Sequence, residues 1–155
     1  MRKLLLGAAA LAALALVTGS VGAASSAPEP PGQAETTLRV IQRAPEVASI
    51  DLGTPGPSPG DVLVFRSALF DRTNTERVGD LNITCTESFD DHHICRGIFR
   101  ISGKGQLSVD ALPRFPNPTT GIVTGGSGEF RLARGDVDIQ PQPNGTTRVT
   151  FHLFD

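Results

Sequence analysis

The sequence predicts an all-β protein, an antiparallel barrel or sandwich, carried behind a secretory signal. Three observations predict it. Short apolar runs are broken by turn residues about every 10 to 15 positions, the spacing of barrels and sandwiches. Outside the signal, no window of about 11 residues holds a helical apolar period. The two cysteines, finally, sit where one hairpin register would join them and gather a row of apolar side chains.

The chain opens on Arg2 and Lys3, continues almost wholly apolar from Leu4 to Val17, and then offers the small residues Val21-Gly22-Ala23. That order is a secretory signal, too short and wrongly flanked for a membrane anchor. A lipoprotein would need a cysteine at the junction, and none is there. Residues 1–23 are therefore expected to be removed. Residues 24–36, which include the Pro- and Ser-rich "SSAPEPPGQAE", read as a flexible linker. The folded domain is expected over 37–155.

The 155 residues carry a formal net charge of −2. The signal holds two bases and no acids, so its loss leaves −4. A mildly acidic chain has no bulk attraction for nucleic acid or anionic lipid, and neither partner is expected. Export places Cys85 and Cys95 in an oxidising compartment, where such a pair becomes a disulfide.

The first two runs are "TLRVIQR" and "EVASIDL". The segment "GTPGPSPGD", Gly53 to Asp61, is a loop that no helix or central strand could contain. "DVLVFRSALF", "ERVGDLNITCTE", "HICRGIFRIS", "GQLSVDAL", "TGIVTG", "GEFRLARGDVDIQ" and "TTRVTFHLF" follow, with Asn144-Gly145 as the hairpin turn before the last. If Cys85 lies opposite Cys95, Ile83 faces Gly97, Leu81 faces Phe99 and Gly79 faces Ile101. Alternation puts all of these on one face. A directly opposed pair brings the Cα atoms to about 4.5 Å, near the lower end of disulfide geometry.

The glycine-rich stretch "TGGSGEFRLARGDV", Thr124 to Val137, has no Gly-Lys-Ser/Thr and no following helix, so it cannot cradle phosphate. Gly125, Gly126, Gly128 and Gly135 read instead as structural: a tight turn, a strand and another bend. The same stretch carries a family resemblance. "IVTGGSGEFRLARGDV" is similar to the glycine-rich signature of plant allene oxide cyclases and dirigent-like proteins. "GDVLVFRSALFD", Gly60 to Asp71, resembles the cyclases' Gly-Asp-x-x-x-Phe-x-x-x-Leu-aromatic-Asp strand, and "RVGDLNITC", Arg77 to Cys85, their Arg-hydrophobic-Gly run ending in Cys. The resemblance covers about Asp61 to Leu153.

It implies an eight-stranded antiparallel β-barrel with an apolar cavity, often a homotrimer, working without metal or organic cofactor. In such a barrel the protein holds a flexible reactant in one reactive conformer and steers its cyclisation or coupling. Cys85 falls at the family's pocket cysteine and Ser67 at its polar Asn. The family's first-strand carboxylate and Asn fall on Arg39 and Ile41, with Glu46 nearby but off the pattern. If Ser67 looks inward, so do Leu63, Phe65 and Leu69; with Leu81, Ile83 and Phe99 they form the candidate pocket for a small apolar ligand. Val62, Val64, Ala68 and Phe70 then look outward. Their apolar face needs a cover, either a subunit contact or the loop over 53–60 or the N-terminal segment.

"DDHH", Asp90 to His93, reads as the solvated tip of the cysteine hairpin rather than a metal site. His152 has no obvious carboxylate or nucleophile to pair with, so a hydrolase is not supported. Two readings stand: a secreted cavity protein that binds and steers a small apolar molecule, and a non-catalytic structural or interaction barrel with a filled core. Phe is the only aromatic, which leaves no Trp or Tyr to line a polar-ended ligand site.

Overall fold

The computed structural model describes residues 35–43 and 45–154. The signal and all but the end of the expected linker lie outside them. Nine strands follow one another: β1 (Glu35–Gln42), β2 (Glu46–Ile50), β3 (Val62–Phe70), β4 (Arg77–Glu87), β5 (His93–Ile101), β6 (Gly105–Ala111), β7 (Thr119–Gly128), β8 (Arg134–Pro141) and β9 (Thr147–Phe154). Among the described residues there is no helix.

From β3 to β9 each strand pairs antiparallel with the next. β1 pairs along its whole length with β9, from Glu35 opposite Phe154 to Gln42 opposite Thr147. It then meets β3 through Ile41 opposite Phe70 and Gln42 opposite Leu69, which closes the sheet. The result is a closed eight-stranded antiparallel barrel, as the family resemblance implies, with one extra strand that it does not. The extra strand has a simple origin. β2 continues along the same edge of β3, with Glu46 opposite Arg66 and Ile50 opposite Val62. β1 and β2 are thus two halves of one stave that changes partner, from β9 to β3, across residues 43–45. β1 begins at Glu35, inside the expected linker, because Glu35 and Thr36 find ladder partners in Phe154 and Leu153.

The cysteine hairpin has the expected register: Cys85 lies opposite Cys95, Ile83 opposite Gly97, Leu81 opposite Phe99 and Gly79 opposite Ile101. A disulfide joins the cysteines, with Cα atoms 4.0 Å apart. Alternation sends one side of every strand inward. Val40, Leu69, Leu81, Phe99, Leu107, Val137 and Phe151 fill the lower and middle interior and are almost completely buried. Phe99 meets Phe151 edge-on at 5.0 Å between ring centres, an arrangement that suits the ring quadrupoles.

The outer face is polar and paired in places. Arg96 donates to Asp110 at 2.9 and 3.2 Å, Arg66 to Glu46 at 2.8 Å, and Arg100 pairs with Asp80. Asp80 and Asp110 are held below the usual carboxylate range by their arginine partners. Such exposed pairs are screened by solvent and contribute little to stability. Phe70, on the outward side of β3, lies under the Arg43 guanidinium at 3.4 Å, and Arg43 is itself held by Asn74. The cover for that residue is therefore the segment leaving β1, while Val64 remains exposed.

Candidate functional site

The interior has two different halves. Below, Leu81 and Phe99 sit in the closed core; above, Leu63, Phe65 and Ile83 face the same interior but are only half-buried. At that upper end, the mouth of the barrel, these apolar side chains keep partial exposure. Ser67, buried at 5% exposure, lies at its floor and accepts a hydrogen bond from Gln42 Nε2 at 3.0 Å. The Cys85–Cys95 bridge forms part of the rim, one residue pair above Ile83 and Gly97 on the inner face.

A roof crosses this mouth. The connection between β6 and β7 is rich in proline and cannot join the ladder. It is tied down to the cysteine hairpin instead: His93 N–H donates to the Pro113 carbonyl at 2.9 Å and Arg114 Nη2 to the Asp90 carbonyl at 2.6 Å. The ties bring the Phe115 ring to 4.9 Å from His93 and 5.8 Å from Phe65. Phe65 belongs to β3, three staves away from β6, so the connection leans over the disulfide end of the barrel.

Several expected positions are displaced. Arg39 and Ile41 do not face the interior. Their neighbours Val40 and Gln42 do, since Val40 pairs with the buried Val149 and Gln42 with the buried Leu69. A shift of one residue exchanges every inward side chain for an outward one. The first strand therefore supplies an amide, Gln42, beside the hydroxyl of Ser67. Glu46 is on the outside, paired with Arg66. The tip of the cysteine hairpin is Asp90 and Asp91, both at positive φ, whereas His93 belongs to β5 and faces inward with Cys95. His152 does have partners: Glu35 at 2.7 Å and Asp138 at 3.2 Å, brought in from β1 and β8 on the outer face. Both contacts raise its pKa, Glu35 the more strongly.

The glycine-rich stretch also differs in detail. Gly125, Gly126 and Gly128 do not form a turn; they extend β7 alongside Gly105 to Ser108 of β6. The turn is Glu129 to Leu132, and β8 starts only at Arg134, so "GEFRLARGDVDIQ" is not one run. A bulge leaves Thr124 between the paired residues Val123 and Gly125. At Gly126 a Cβ would fall 2.5 Å from the backbone oxygens of Gln106 and Phe130, and Gly135, within β8, lies against the His152 carbonyl. Gly126, Gly128 and Gly135 thus allow close strand approach, and Gly125 a positive φ at the bulge, rather than a turn.

Among the described residues no cluster of three or more His, Cys, Asp or Glu is arranged to hold a metal ion. An outer groove of about 600 Å³ runs over β5, β6 and β7, with Ile94, Leu112 and Ile122 exposed along it.

No family model matches the sequence, and no curated protein matches it. Solved structures do. A pyocyanin demethylase superposes with a TM-score of 0.68 at 23% identity, over 76% of this chain and 99% of that one. A pterocarpan synthase dirigent protein, GePTS1, gives 0.58 at 16% identity, over 81% and 86%. The Diels Alderase AbmU from Streptomyces koyangensis gives 0.58 at 15% identity, over 78% of this chain and 64% of that one. The fold is that of the dirigent and cyclase barrels. This barrel carries the Gln42–Ser67 pair at its floor, the disulfide at its rim and the Phe115 roof over it.

Proposed function

We propose that this is a secreted, cofactor-free dirigent- or cyclase-like barrel that binds a small apolar molecule in its mouth and steers the molecule's cyclisation or coupling. The observation that carries the reading is the split interior: a sealed apolar base beneath an apolar lining, Leu63, Phe65 and Ile83, that keeps contact with solvent. Binding there removes apolar area from water at roughly 25 cal/mol per Å². The rate effect would come from holding one reactive conformer against a rigid wall. The signal pattern and the disulfide support export, and the sequence motifs support the allene oxide cyclase side of the fold.

The resemblance also implies a trimer, which would cover one of the apolar outer faces; analytical ultracentrifugation tests it, and a monomer at micromolar concentration would refute it. The test of the binding reading is titration with a fluorescent fatty acid. The expected result is saturable binding, weakened at least tenfold by Ile83→Arg, which places a charge in the apolar lining. Absence of binding to the unaltered protein would favour the second reading, a structural barrel with a filled core. That reading has its own observation, the edge-on Phe99–Phe151 contact in a fully packed lower half.

A further inference from the structure

We infer that His93 is the polar contact that selects the ligand, donating a hydrogen bond from Nε2 to an acceptor oxygen on a planar, conjugated molecule held against Phe65 and Phe115. The inference rests on the mouth being the binding site. Its starting point is an unmatched atom. Among the described residues, His93 Nδ1 is the buried side-chain nitrogen or oxygen left without a hydrogen-bond partner. Buried polar atoms are nearly always paired, and an exception calls for an explanation, a functional role among them. Its cross-strand neighbour Glu87 does not supply a partner.

The tautomer follows. A neutral imidazole carries its proton on one ring nitrogen and accepts at the other. A proton on Nδ1 would be a buried donor with nothing to donate to. We therefore place the proton on Nε2, which is not among the buried atoms left without a partner. The ring stands at the rim beside Cys95 with its neighbour Phe115 4.9 Å away, and Phe115 in turn reaches Phe65 at 5.8 Å. Two tilted phenylalanine rings next to one donor favour a flat π-surface with an oxygen at its edge. A ketone, quinone or phenolate has that form, whereas a saturated chain does not.

The test compares two flat probes of nearly equal size, methyl naphthyl ketone and ethylnaphthalene. Both affinities are read by equilibrium dialysis with naphthyl absorbance, which the protein, lacking Trp and Tyr, does not obscure. The ketone is expected to bind about tenfold more tightly than the hydrocarbon. His93→Leu is expected to abolish the preference, read as the ratio of the two affinities, and His93→Gln, which keeps a donor, to retain part of it. Imidazole nitrogen NMR of the unaltered protein gives a readout independent of any variant's folding: the His93 Nε2 signal should move with the ketone and not with the hydrocarbon. Equal affinities and an unmoved signal would overturn the role of His93 while leaving the mouth as a binding site. Binding of neither probe would overturn both.

Discussion

His152 Nδ1 lies 2.7 Å from Glu35 Oε1, so a hydrogen bond joins the last strand of the barrel to the first described residue. On its other side Nε2 reaches Asp138 at 3.2 Å, and Asp136 is its ladder partner on β8. The imidazole is thus surrounded by carboxylates across the β1–β9–β8 face, and its pKa is raised. A group whose folded pKa is raised contributes stability that is complete below its unfolded value and is lost as pH rises through the folded value. The unfolded value of a histidine is about 6.5. The melting temperature is therefore expected to fall between about pH 6 and pH 9 by more than in His152→Phe. Parallel pH profiles of the two proteins would show that the contact is too solvated to contribute.

The disulfide gives a second expectation. Cys85 and Cys95 are ten residues apart in sequence. Closing a loop of that size stabilises by about 2–3 kcal/mol in the chain-entropy model. Reduction should lower the melting temperature markedly, and the oxidised protein should resist alkylation until reduced. Two alkylated thiols before reduction would contradict the bond.

Two neighbouring glycines should respond differently to alanine. At Gly125, φ is 151° but a Cβ would meet nothing within 4 Å, so the cost is the backbone conformation alone, about 1–3 kcal/mol. At Gly126 the Cβ would lie 2.5 Å from two backbone oxygens, and neither can move without disturbing β6 or the β7–β8 turn. Gly126→Ala should therefore be the more destabilising in urea denaturation. The reverse order would mean that the bulge, not the close approach, sets the strand geometry.

Allene oxide cyclisation itself is expected to be weak. The first strand presents Val40 and Gln42 inward, with no carboxylate, and Gln42 is already bonded to Ser67. Losing one well-placed polar group at developing charge commonly costs about a hundredfold or more in rate. Chiral chromatography of the products from the plant epoxide should match spontaneous hydrolysis. Efficient stereospecific closure would show that Gln42 and Ser67 suffice.

The cysteine hairpin was legible because two independent patterns, sulfur pairing and apolar alternation, require one register. Ser67 was less so: its strand is apolar on both faces, and only the family resemblance put Ser67 inward with Leu63, Phe65 and Leu69. The first strand was harder: the matched positions Arg39 and Ile41 face outward and their neighbours Val40 and Gln42 inward, and in a strand one residue exchanges inside for outside. His152 has partners far away in sequence, at Glu35 and Asp138, which only closure of the sheet brings near. His93 was hidden among the turn residues of "DDHH", and Phe115 among prolines, where a lone aromatic has no periodic neighbour to reveal its side.

The stave that changes partners makes the wall uneven. β1 touches β3 through only two residue pairs, Ile41 with Phe70 and Gln42 with Leu69, whereas β3 and β4 match along nine. Above that junction β2 borders β3 alone. Local opening follows the least-connected backbone. Amide exchange should be fastest along β2 and at the β1–β3 junction, and slowest in β4, β5 and β9. The barrel would breathe beside Gln42 and Ser67, through a slit in its side, while the disulfide keeps β4 fastened to β5.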